Sequence, residues 1–229
     1  MCGRFTLRTP SPELAEIFAV DGRPNLAARY NIAPSQDILV ARAVDEAGGR
    51  EFAMLRWGLV PHWARDAAIG SRMINARAET LAEKPSFRDA YRRRRCLVAA
   101  DGYYEWQKAP DGTKQPYHIR FDNDAPFAIA GLWDSWRAPD GETLETCTLI
   151  TTEACRALAP IHHRMPVILP PDAYDAWLDP RSSSPDALGA LLRPLGSDDL
   201  AAHAVGLRVN NARHDDIDCL EPVTGDMLL

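Results

Sequence analysis

The sequence predicts an α+β protein of one domain, residues 1–229, built mainly from antiparallel strands with helices set between groups of them. Three observations support this. Short apolar runs rich in β-branched and aromatic residues recur along the chain, most of them joined by short turns. Helix-like segments fall between groups of strands and do not alternate with single strands, which argues against a βαβ repeat. No internal repeat, low-complexity segment or long linker marks a second domain, and the Pro/Ser-rich stretch 179–185 reads as a surface loop.

Taken in order, Ser11-Pro12-Glu13 predicts a helix start with a capping hydroxyl and proline in the first turn, and Leu14, Ile17 and Phe18 follow at helical spacing. Residues 37–44 and 51–58 predict a hairpin joined by Glu46-Ala47-Gly48-Gly49-Arg50. Residues 84–95 predict a helix that runs into a strand at 96–106. A second hairpin is expected from 116–121 and 126–133, and a strand at 145–152 with a short helix from Glu153. Residues 165–169 predict a strand, 171–178 and 185–192 two helices, and 204–210 a late strand.

Hydrophobic residues at 46% and charged residues at 25% suit a water-soluble chain with its own core. No apolar run approaches the roughly 20 residues that span a bilayer, and the first residues lack a signal-peptide pattern, so a cytoplasmic protein is expected. The cysteines Cys2, Cys96, Cys147, Cys155 and Cys219 are odd in number and widely spaced, which argues against a disulfide framework or a structural zinc site. Cys96 and Cys147 lie in apolar strands and are expected to be buried, which leaves Cys2 as the thiol of interest. The net charge of −6 opposes nucleic-acid binding at first sight, but residues 1–100 carry 16 Lys+Arg against 11 Asp+Glu. A basic, arginine-lined groove on an acidic protein is therefore possible.

Four clusters carry candidate chemistry. In Met1-Cys2-Gly3-Arg4-Phe5, a small second residue permits removal of Met1, which would give Cys2 both an α-amine and a β-thiol. At pH 7 roughly 10% of an α-amine is free base, against about 0.04% of a lysine. Such an amine favours a carbonyl target through a Schiff base, and the thiol can then close a thiazolidine ring. Asn75 could orient that amine or thiol; Arg77, two residues on, would share its side of an extended backbone and suit a phosphate. In Asp101-Gly102-Tyr103-Tyr104-Glu105-Trp106, alternation puts Tyr103 and Glu105 on one face, where a carboxylate can act as a general acid or base. His162 and His163 offer proton transfer, and the spacing does not choose between them. Trp57 is expected in the core, whereas Trp63, after a proline and between polar residues, is the better platform for an unpaired base.

The ordered segments MCGRF, RYNIAPSQ, WGLVPHW, INARAET, ADGYYEW, ITTEA, IHHRMPVIL and VNNARHDD resemble the SOS-response-associated peptidase family, proteins that shield abasic sites. The resemblance implies a barrel-like sheet with peripheral helices. It also implies an enzyme that senses abasic sites in single-stranded DNA, crosslinks to them through Cys2 and processes its own N-terminus to expose that residue. By the same resemblance Asn75, Glu105 and His162 complete the catalytic set, and Arg4, Asn31, Trp63, Arg77 and Thr151 contact DNA. A monomer is expected, with no metal, organic cofactor or membrane. The alternatives are a cysteine peptidase acting on other proteins, with His162 as base, and a non-covalent single-strand binding module.

Overall fold

The computed structural model describes residues 2–44, 49–182, 184–196 and 199–223. In chain order, β1 (Arg4–Leu7) and α1 (Ser11–Phe18) lead into β2 (Arg29–Ile32), β3 (Asp37–Ala43) and β4 (Arg50–Trp57). A loop with a 3-10 turn (Ala67–Arg72) reaches β5 (Asn75–Arg77). Helix α2 (Arg88–Arg93) precedes β6 (Arg95–Ala100), β7 (Gly102–Lys108), β8 (Lys114–Phe121), β9 (Phe127–Arg137) and β10 (Thr143–Glu153). The chain continues through β11 (Arg164–Pro166), β12 (Ile168–Leu169), α3 (Tyr174–Leu178), α4 (Pro185–Leu191) and β13 (Leu200–Ala204).

Strands β3, β4, β6, β9 and β10 close on themselves as a barrel, because β10 pairs with both β9 and β4. Four of the five pairings are antiparallel and β4–β10 is parallel. Val40, Leu97, Val98, Ile129 and Leu149 belong to the buried core. A second sheet runs in the order β13-β8-β7-β1-β2. The two sheets are continuous through the chain itself, since β6 belongs to the barrel and β7 to the second sheet. Residues 96–106, expected as one strand, therefore break at Asp101. That side chain is buried, and its carboxylate accepts the Thr6 hydroxyl at 2.7 Å, the Thr9 N–H at 2.9 Å and the Arg8 N–H. Turning there lets one carboxylate satisfy two backbone donors at the end of β1, which would otherwise be left unpaired.

Other expectations change for similar reasons. The 116–121 and 126–133 segments form β8 and β9 but do not pair with each other. β8 lies between β7 and β13, and β9 between β6 and β10. The late strand falls at Leu200–Ala204, and Leu207–Asn210 is a 3-10 turn. No helix follows Glu153, where the chain makes turns. Helix 84–95 shortens to Arg88–Arg93. Ser11 does not cap α1; its hydroxyl donates to the Pro24 carbonyl, and Pro12 sits in the first turn. The 37–44/51–58 hairpin is formed, with Ala43 opposite Arg50, so Arg50, expected in the turn, opens β4; residues 45–48 lie outside the described ones. Ser183, within the 179–185 loop, also lies outside them.

One close approach places the loop between β4 and β5. Gly58 has φ of +130°, and a Cβ on it would stand 2.7 Å from the Gly70 carbonyl oxygen. The reverse contact would be 2.6 Å. Two glycines thus let the loop fold back on itself, a conformation L side chains resist. The indole N–H of buried Trp57 donates to the Ile74 carbonyl at 2.8 Å, fixing the entry to β5.

Candidate active site at the N-terminus

Three pairings bring distant segments to one place. β1 lies antiparallel on β7, with Arg4 opposite Tyr104 and Phe5 opposite Tyr103, so the residues before β1 run alongside those after Tyr104. β5 lies parallel on β10, with Asn75 opposite Leu149 and Arg77 opposite Thr151. β11 pairs with the end of β10, with Thr152 opposite Met165, and so carries His162–Arg164 to the same end.

Cys2 is fully buried, and its thiol donates weakly to the Arg4 carbonyl at 3.7 Å. The Asn75 amide donates to the Cys2 carbonyl at 2.7 Å, while Asn75 Oδ1 is buried without a hydrogen-bond partner among the described residues. Such an acceptor is costly unless something donates to it, and an N–H or S–H at Cys2 is suited to do so. Glu105 is 3% exposed, and burial raises its carboxyl to about 7. Burial, reinforced by the negative charge of Glu105, pushes the Cys2 thiol up and keeps it protonated at neutral pH.

The two histidines are told apart by position. His162 Nδ1 lies 4.0 Å from Glu105 Oε2, whereas His163 is exposed and stacks on the His162 ring at 4.4 Å. His162 Nδ1 faces the Arg164 backbone, 3.0 Å from its N–H and 3.2 Å from its carbonyl oxygen, so it accepts from the first or donates to the second according to the tautomer. Burial lowers the pKa of His162 and favours the neutral ring.

The remaining expected residues divide into two groups. Trp63 and Arg77 are exposed, Trp63 at 49%. Arg4, Asn31 and Thr151 are engaged within the fold. The Arg4 guanidinium donates to Asn31 Oδ1 at 2.9 Å and to the Val209 carbonyl at 2.6 Å. Buried Asn31 donates to the carbonyls of Val209, Asn211 and His214 at 3.1, 3.1 and 2.8 Å. Together they clasp the VNNARHDD segment onto β1 and β2. Buried Thr151 lies beside β5, opposite Arg77, and its carbonyl accepts from Arg164 at 2.6 Å. Arg164 and Glu79 form a forked pair at 2.6 and 3.0 Å, an arrangement the sequence reading missed although both residues lie inside quoted motifs. Their separation of 85 positions hid it. Tyr103 shares the Glu105 face, and its hydroxyl is buried without a hydrogen-bond partner among the described residues.

The sequence profile of the SOS response associated peptidase (SRAP) family matches residues 1–212. The chain is 42% identical over 224 residues to the abasic site processing protein YoqW of Bacillus subtilis, covering 96% of this chain and 99% of that one. It is 33% identical over 271 residues to the abasic site processing protein HMCES of Mus musculus, covering 97% and 76% respectively. A crystal structure of a protein from Bacteroides thetaiotaomicron superposes with a TM-score of 0.86 at 26% identity, covering 97% of this chain and all of that one. Motif order, barrel architecture and near full-length identity agree, and the chain belongs to the SOS response associated peptidase family.

Proposed function

We propose that this chain processes abasic sites in single-stranded DNA, linking to them covalently through Cys2 once Met1 has been removed. The observation that carries the reading is the convergence of Asn75, Glu105 and His162 on Cys2, with Glu105 held near 7 by burial. Its relatives bear the name abasic site processing protein. While Met1 is attached, the Cys2 nitrogen is an amide and a poor nucleophile. Hydrolysis of the Met1–Cys2 peptide bond, which we assign to the protein itself, adds water, releases methionine and frees the α-amine.

The ring-opened abasic sugar presents an aldehyde. The free amine adds to it, and water leaves to give a Schiff base. The Cys2 sulfur then bonds to the imine carbon, its proton passes to nitrogen, and a thiazolidine closes. Glu105 is suited to the proton transfers, since a carboxyl near 7 both gives and takes protons at neutral pH. His162 assists, and Asn75 holds the Cys2 main chain in line. The raised thiol favours this order, amine first and sulfur second. It disfavours a peptidase acting on other proteins, which needs a thiolate. We place the protein in the cytoplasm as a monomer that uses no metal or cofactor. No helix among the described residues is long and apolar enough to cross a membrane.

Denaturing electrophoresis with abasic single-stranded DNA tests the reading. An adduct is expected with the free aldehyde and none with undamaged DNA or with the aldehyde capped by methoxyamine. Equal adduct on capped DNA would remove the Schiff base from the mechanism.

The proposed DNA contacts separate by variant. Arg77→Ala is expected to leave thermal stability unchanged and to reduce the salt slope of single-strand binding by about 0.7, the value for one phosphate. Arg4→Ala is expected to lower stability by about 2 kcal/mol, because it empties a clasp of several hydrogen bonds. Thermal unfolding and salt titrations read both; an Arg4→Ala protein of wild-type stability would make Arg4 a DNA contact and not a clasp.

A further inference from the structure

A cavity of about 230 Å³ lies at the other end of the β4–β5 loop from Asn75, lined by His62, Asp89, Arg92, Arg93 and Arg94. Three guanidinium-bearing residues meet there with one lining carboxylate, and Asp89 is itself 3.7 Å from Arg88 Nε. Asp134, 5% exposed at its side chain, holds two of the lining residues. It accepts the His62 N–H at 3.0 Å, holds His62 Nδ1 at 3.1 Å and lies 3.2 Å from Arg94 Nε. Asp134 thus balances Arg94, and Arg92 and Arg93 remain as exposed cations at the rim. The fourth arginine of the run serves the fold: Arg95 is buried and donates to the carbonyls of Tyr91, Arg92, Trp177, Asp179 and Ser182.

Two further facts connect this cavity to the site. Trp63 follows the cavity residue His62 directly in the chain and is exposed, so the loop that lines the cavity also carries an aromatic side chain open to solvent. That pairing of cation and flat face is how single strands are tracked without sequence preference. Asp134 lies opposite Thr146 on β10, and Asn75 lies opposite Leu149. Three residues, about 10 Å, separate the two levels along β10, and two strand spacings of about 4.8 Å lie across it.

We propose that the Arg92–Arg94 and His62 cavity binds a phosphodiester of the DNA strand a few nucleotides from the residue held at Cys2, with the neighbouring base on Trp63. The inference rests on the reading of Cys2 as the crosslinking residue. Guanidinium groups match phosphate through paired N–H donors, and Asp134 fixes the positions of Arg94 and His62. A stacked strand advances about 3.4 Å along its axis per phosphate and an extended single strand advances further, so a strand anchored at Cys2 reaches the cavity within a few nucleotides.

The test compares wild type with R92E/R93E, which alters exposed side chains and leaves the Arg92 carbonyl to Arg95. The milder R92Q/R93Q guards against misfolding. Two abasic probes are used, one with a single nucleotide on each side of the lesion and one of about 16 nucleotides. The expected result is an affinity for the undamaged long strand lower by on the order of tenfold, with a salt slope shallower by about 0.7 for the one lost phosphate contact. Crosslinking of the minimal probe should proceed at the wild-type rate. Unchanged affinity and slope on the long strand would overturn the proposal, as would an equal loss of crosslinking on the minimal probe. Failure of the Cys2 reading looks different: wild type would give no adduct on either probe, while dependence of strand affinity on Arg92 and Arg93 would persist.

Discussion

Cys2→Ala is expected to abolish the heat-stable adduct with abasic single-stranded DNA at any reaction time. Alanine keeps a free α-amine after Met1 removal, and that amine remains roughly 10% free base at pH 7. A Schiff base still forms and is trappable by borohydride. Without sulfur nothing closes on the imine, and water reverses it. Strand affinity before reaction should be unchanged, since Cys2 is fully buried and its recorded contacts lie within the protein. A second variant, with an N-terminal extension that cannot be removed, keeps the thiol but acylates the amine. It should give neither adduct nor trappable imine. Intact-mass measurement after heating distinguishes the three proteins. A heat-stable adduct of wild-type mass increment from Cys2→Ala would rule out ring closure, and full activity of the blocked protein would rule out the amine.

Glu105→Gln should move activity and stability in opposite directions. Gln keeps the shape and the hydrogen-bonding edge but exchanges no proton at neutral pH. General acid–base catalysis contributes about 10²–10⁴-fold, and crosslinking should slow by that range with normal affinity for undamaged strands. The pH dependence near 7 that belongs to Glu105 should vanish from the rate profile. Stability follows from the same carboxyl. It titrates at about 7 in the folded protein and at the ordinary 4.5 when unfolded. Between those values only the unfolded chain loses its proton as pH rises, so wild-type stability falls across that window. The loss reaches about 3 kcal/mol, at about 1.36 kcal/mol per pH unit. Glu105→Gln escapes it and should be more stable than wild type at pH 8, with the difference closing toward pH 4. Denaturant unfolding at the two pH values measures this. A variant destabilised equally at both would make Glu105 a packing residue.

What the sequence determined alone is local. Alternation in β7 placed Tyr103 and Glu105 on one face, and the structure keeps Tyr103 in the main core while Tyr104 joins a separate cluster with Val205 and Val209. The β3–β4 hairpin, the extended Asn75–Arg77 segment, buried Trp57 and exposed Trp63 were legible for the same reason. Each depends on residues a few positions apart, whose side-chain direction follows from backbone period. The ordered motifs by themselves point to the family. The tertiary structure decided matters that depend on distant partners. It broke residues 96–106 at Asp101, because that carboxylate serves donors at the end of β1. It separated β8 from β9, because closing the barrel requires β9 to pair with β6 and β10. It set His162 and not His163 against Glu105, through the turns after β10 and the pairing of β11. It turned Arg4 and Asn31 inward to hold a segment some 180 to 205 positions away. Glu105 reads as an ordinary glutamate in sequence; burial among chains that meet only in the fold moves its proton to about 7, because charge is poorly solvated there.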